Sequence, residues 1–116
     1  MGNKNDPEDY AENDYKIVAA DGKVGDVACW VIQATPKVKD VSGYSKRVIY
    51  LEKDRLLVHK IEFYDLKDRL QKTLSNRDFV QVDGFWRANR AMMEDHQRGS
   101  KTLWQFQERK INPGLS

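Results

Sequence analysis

The chain has 116 residues, with 20 Lys and Arg against 18 Asp and Glu, and a net charge of +2. That length suits one domain with a modest core, and the charge balance argues against nucleic acid, which needs clustered cations. Cys29 is the only cysteine, so an intrachain disulfide is excluded.

Residues 1–14 carry Asp6, Glu8, Asp9, Glu12 and Asp14 against Lys4, a net of −4 that leaves +6 on the rest of the chain. Polar, acidic and without periodicity, they are expected to form a linker or disordered lead-in, with residues 15–116 forming an antiparallel β domain. The abrupt polar opening MGNKNDPEDY is compatible with an excised domain. Gly2 invites a myristoylation reading, but Asp6 stands where Ser or Thr is required. No stretch has the basic start and apolar run of a secretory signal, or the roughly 20 apolar residues of a membrane helix.

Beyond residue 14 the chain punctuates itself at short intervals. YKIVAA runs into DGKVGD, a turn cluster with two glycines. VACWVIQAT, rich in β-branched and aromatic residues, stops at Pro36, and KDVSG is a loop. KRVIYLE and LLVHKIEFYD read as two strands joined by a charged turn around Lys53-Asp54-Arg55. DLKD turns into RLQKTLS, and NRD leads to FVQVDG. The clearest alternation sets Leu57, His59, Ile61 and Phe63 on one side of a strand, against Val58, Lys60, Glu62 and Tyr64 on the other. Strands at 8–12-residue spacing predict an antiparallel meander.

The stretch AMMEDHQRGSKTLWQF (91–106) supports two readings. At a period of 3.6, Ala88, Ala91, Met92 and His96 share a stripe that Gly99 would cap. At a period of 2 it is a hairpin turning at Gln97-Arg98-Gly99-Ser100. Ala, Met, Glu and Gln favour helix.

In VGDVACWVIQATPK, YSKRVIYLEKDRLLVHKIEFYDLKDRLQKTL and VDGFWRANRAMMEDHQRGSKTLWQFQERKIN, the chain resembles the C-terminal portion of the bacterial outer-membrane lipoprotein-sorting family, the LolA/LolB-like superfamily. The resemblance runs from about Tyr15 to Ile111. It rests on the strand closing at Thr35-Pro36-Lys37, Tyr64-Asp65 before Lys72-Thr73-Leu74, Asp83-Gly84 before Trp86, and Gly99 before Thr102 and Trp104. Asp68 departs from it, standing where a turn glycine is usual, as does Ala88, where proline is frequent. The family's N-terminal part, with its signal peptide, early strands and covering helices, has no counterpart here. The resemblance implies a mainly β fold: a curved antiparallel meander sheet, or half-barrel, with little or no helix, around an apolar cavity for acyl chains. It also makes residues 91–106 a hairpin, since β propensity yields to context.

On this reading the ligand-binding apolar face comprises Trp30, Ile32, Ile49, Leu51, Ile61, Phe63, Met93, Trp104 and Phe106. The tryptophans also suit plain core packing. His59, His96 and Cys29 lack metal-ligand spacing, so no metal site is expected; Cys29 reads as a small buried hydrophobe and His59 as a hydrogen-bonded interior or rim residue. Glu62, Asp65 and Asp54 fall on a wet face or at turn tips, and no catalytic residue or cofactor motif is found. The dispersed cations Lys37, Lys39, Lys46, Arg47, Lys60, Lys67, Arg69, Lys72, Arg87, Arg90 and Arg98 form a solvated outer face, with peripheral membrane contact as the alternative.

An apolar sheet face of this size needs cover. It could come from a curling sheet, a second copy, or an apolar ligand. Two functions follow. One is an acyl-chain or lipoprotein carrier, placed by the resemblance in the periplasm of a Gram-negative bacterium. The other is an envelope interaction domain, with a homodimer through the sheet face and no lipid.

Overall fold

A computed structural model describes residues 13–38 and 43–106. The described residues contain seven strands and no helix: β1 (Asn13–Val24), β2 (Val27–Pro36), β3 (Lys46–Glu52), β4 (Val58–Tyr64), β5 (Leu70–Val82), β6 (Phe85–Asp95) and β7 (Ser100–Gln105). They make one antiparallel sheet in chain order, with β1 and β7 as the outermost strands among the described residues. This is the expected meander. Of the acidic lead-in, residues 1–12 lie outside the described residues, while Asn13 and Asp14 open β1 opposite Pro36 and Thr35.

Turn chemistry sets the register. Asp83 and Gly84 both take positive φ, 55° and 84°, as a two-residue turn matched to strand twist requires. Asp68 has φ 63°, so the departure from the usual glycine keeps glycine's conformation. Aspartate is among the few side chains that tolerate it. Its carboxylate accepts from Ser45 Oγ at 3.0 Å and lies 3.4 Å from Lys46 Nζ, which ties the turn to β3.

Residues 91–106 form strands. Asp95 Oδ1 accepts the amides of Gln97 and Arg98, and the Gly99 amide returns to the Asp95 carbonyl with φ 72°. That local closure reverses the chain where a helix would have continued, and the turn falls one residue earlier than the sequence suggested.

One detail of β4 differs from simple alternation. Tyr50 pairs with Lys60, but Leu51 pairs with Val58, leaving His59 as the extra residue of a bulge. The bulge puts Val58 on the Leu51 side and turns His59 away from Ile61 and Phe63, towards Glu52 on the opposite face. Polar pairing overrode the period of 2. Four such register shifts interrupt the β1–β2, β3–β4 and β4–β5 ladders, and bulges bend and twist the strands that carry them. The molecule's smallest extent is 31 Å, against roughly 10 Å for one flat layer. The sheet is therefore a curved half-barrel.

Few apolar side chains are buried among the described residues: Cys29, Val31, Ala34 and Ala91. Close approach is tightest at Gly22, opposite Cys29, where an added Cβ would overlap Val31 Cγ2 and sit 3.3 Å from the Cys29 carbonyl oxygen. Gly22→Ala should cost about 1–3 kcal/mol, read as a lower urea midpoint with faster amide exchange along β1. An unchanged midpoint would show that the β1 edge is not tightly packed here.

Candidate functional site

Residues paired across an antiparallel ladder point to the same face, so the register assigns every side chain. Ile17 pairs with Ile32, Ile32 with Ile49, Ile49 with Ile61, Ile61 with Leu74, and Leu74 with Met93. Trp30 pairs with Leu51, Phe63 lies opposite Arg47, and Ala91 pairs with Trp104. The Phe106 amide extends the last ladder to the Asn89 carbonyl at 2.8 Å, two residues beyond Trp104 and on its side. All nine residues named for the apolar face therefore share one face. Tyr15, Ile17, Leu74 and Ala91 join them and were not singled out from the sequence. Leu74 lay in RLQKTLS, whose alternation was obscured by polar neighbours.

The centre of this face, from Trp30 to Met93, is half-buried, while Ile17 on one edge strand is 60% exposed and Trp104 and Phe106 at the other edge are 42% and 43% exposed. Arg47, Lys72 and Asp95 bound it at one end, where Lys72 pairs with Asp95 and Arg47 with Phe63. The apolar strip crosses all seven strands, and monomers commonly expose only roughly 300–600 Å² of contiguous apolar surface. At about 25 cal/mol per Å², wetting it costs many kcal/mol.

The opposite face mixes apolar side chains, among them buried Cys29 and Val31, with polar ones, and carries the best-sealed charge. Glu52, 4% exposed, accepts from Arg55 Nε at 2.7 Å, Arg55 Nη2 at 2.9 Å and His59 Nε2 at 2.7 Å. These bonds, Arg55 foremost, outweigh desolvation and hold the Glu52 carboxyl down at about 2, from 4.5. As an ionised carboxylate it has no proton to give, so the imidazole donates. The Arg55 guanidinium in turn lies 4.7 Å from the Trp86 ring centre and 5.7 Å from that of Phe79, and His59 packs at 4.7 Å on Phe79. Neither Glu52 nor Arg55 stood out in the sequence; their pairing depends on a turn that brings residues 52, 55 and 59 together. His59, hydrogen-bonded as expected, therefore serves structure.

Cys29 is fully buried beside this cluster, and burial pushes its thiol up. Among the described residues no three His, Cys, Asp or Glu side chains converge as a metal site would need. Asp65 is held near 2, from 3.8, by the Arg69 amide and then by Gln97 Nε2, a bond that ties the β4–β5 turn to the β6–β7 turn. Asp54 is exposed, and Glu62 lies 3.8 Å from Lys60.

Solved structures and a family model place this half-barrel. The model, described as "-like: Uncharacterized protein", matches residues 1–116. An outer membrane lipoprotein-sorting protein domain from Vibrio parahaemolyticus is 34% identical with a TM-score of 0.71, over 79% of this chain and 38% of that one. The chain belongs to the LolA-like family. A DUF1329 family protein from Desulfovibrio piger ATCC 29098 is 32% identical with a TM-score of 0.75, over 84% and 40% of the two chains. A LolA superfamily protein from Nitrosomonas europaea shares the fold at 20% identity and a TM-score of 0.66, over 90% and 48%. The LolA-like chain thus spans less than half the length of each. Among curated proteins, none matches.

Depressed carboxyl pKa values add stability above about 4.5, the ordinary glutamate value, and that stability is lost as pH falls toward 2. Glu52→Gln should therefore flatten the acid limb of the stability curve between pH 4.5 and 2, with Asp65 supplying the remaining slope. It should also lower stability at neutral pH by about 1.5–3 kcal/mol. Urea midpoints against pH, followed by tryptophan emission, measure both.

Proposed function

We propose that this LolA-like domain is the acyl-chain-binding part of a periplasmic carrier for outer-membrane lipoprotein sorting. Its ligand is a lipid or an acylated lipoprotein, and it works by reversible burial without covalent chemistry. The observation that carries this reading is the single face shared by Trp30, Ile32, Ile49, Leu51, Ile61, Phe63, Met93, Trp104 and Phe106. A methylene chain gains about 0.8 kcal/mol for each CH₂ taken out of water, and a curved apolar surface with charges at one end removes many at once. Similarity to a lipoprotein-sorting domain at 34% identity supports the same ligand class. Delivery to an outer membrane implies a Gram-negative envelope, whose intermembrane space is the periplasm.

A second reading rests on the β7 edge, where Leu103, Trp104 and Phe106 are all exposed on a strand whose outer side has no β partner among the described residues. An envelope interaction domain that pairs or packs there with another copy would need no lipid. Light scattering separates the two: a stable dimer that Trp104→Glu dissociates favours interaction, and a monomer favours the carrier.

Native mass spectrometry tests the carrier directly. The chain should gain the mass of a palmitoylated peptide, and Ile61→Asp, at the middle of the face, should weaken that binding at least tenfold. A wild-type protein that stays at its bare mass with peptide in excess refutes the proposal.

A further inference from the structure

β5, with 13 residues, and β6, with 11, are the longest pair of neighbouring strands, and their distal halves leave the sheet. β4 pairs with β5 only as far as Ser75, and the ladder of β7 with β6 begins at Asn89, whose carbonyl accepts the Phe106 amide. Residues 77–88 therefore form a two-stranded arm whose outer edges both lack a β neighbour among the described residues, closed by the Asp83-Gly84 turn. A bare hairpin is marginal in water, yet this one is held along one side. Arg55, fixed by two bonds to Glu52, stacks on Phe79 and Trp86, and His59 packs on Phe79. The arm is thus a braced projection.

Its tip has the wrong chemistry for water. Phe85 is 77% exposed, with Val82 paired to it and Trp86 next in line also exposed. Val82 and Phe85 lie on the side of the arm that continues the apolar face, whereas Trp86 lies on the other, opposite Gln81. Arg87 pairs with Val80 on the Phe85 side, about 7 Å behind the tip at 3.3 Å per residue. Neither Arg87 nor Arg77 has a carboxylate within ion-pair distance among the described residues, while Arg90 is engaged by Asp78 at 3.0 Å. The single acid at the tip, Asp83, occupies the left-handed turn position.

We propose that the β5–β6 arm is a membrane-docking element that inserts Val82 and Phe85 at the surface of an anionic bilayer. Interfacial elements bury apolar groups about 5–10 Å deep. At that depth Arg87 reaches phosphate level, where its long stem follows the apolar surface and its head meets an anion. Trp86, amphipathic and on the opposite side, suits the headgroup layer. The bilayer is favoured over a protein partner by this ordering along one short axis: apolar tip first, then indole, then unpaired guanidinium. The proposal adds to the carrier reading, because the docked arm would bring the end of the apolar face to the lipid surface, but it stands on different residues.

Cosedimentation of the full chain with vesicles of phosphatidylethanolamine and phosphatidylglycerol tests it. Wild type should bind, and more weakly to phosphatidylcholine alone. Phe85→Asp should lower partitioning at least tenfold and Arg87→Glu severalfold, with far-UV circular dichroism unchanged. Leu103→Asp, which removes an equally exposed leucine away from the arm, should bind like wild type. Absence of wild-type binding, or equal loss in Phe85→Asp and Leu103→Asp, overturns the proposal. Phe85→Asp should still take up palmitoylated peptide in native mass spectrometry. If wild type takes up no peptide yet binds vesicles through Phe85, the carrier reading falls and the arm remains.

Discussion

A single β layer has two faces and no interior, and in this protein that geometry governs everything else. Strand alternation sends Ile32, Ile49, Ile61, Leu74 and Met93 in one direction across five strands, and water opposes leaving such a row uncovered. Side chains of neighbouring strands shield the middle of the row, but not its ends. That surface is energetically incomplete, and the carrier proposed above is one way of completing it.

The opposite face supplies what the apolar one cannot, a fixed point. Glu52 gathers Arg55 and His59 from the β3–β4 turn and the β4 bulge, and those two side chains grip Phe79 and Trp86 on the arm. At the other end Asp65 and Gln97 tie two turns together. A sheet with little enclosed core is held in shape by hydrogen-bonded charge at its corners.

The fold was legible because its signals are local. Alternation in KRVIYLE and KIEFY, the Asp83-Gly84 turn and Gly99 each name a strand or a reversal without help from distant residues. The shared face of the nine apolar residues followed from the same period. What could not be read depended on pairing across the sheet. The bulge that turns His59 over has no signature in LLVHKIEFYD, because its cause is the carboxylate of Glu52 on the neighbouring strand. The bracing of Phe79 and Trp86 by Arg55 joins residues 24 and 31 positions apart. Helix propensity in AMMED was a true local preference that lost to ladder bonds and to the reversal at Asp95.

The solitary thiol of Cys29 sits at zero exposure between β1 and β3, opposite Gly22 on one side and Glu52 on the other. Burial raises its pKa, and a protonated, sealed sulfur is a poor nucleophile and a poor target for oxidants. Chains carrying it can pass through an oxidising compartment without becoming covalently joined to one another. The same enclosure makes it a silent reporter, open to alkylation only when the edge strand peels away.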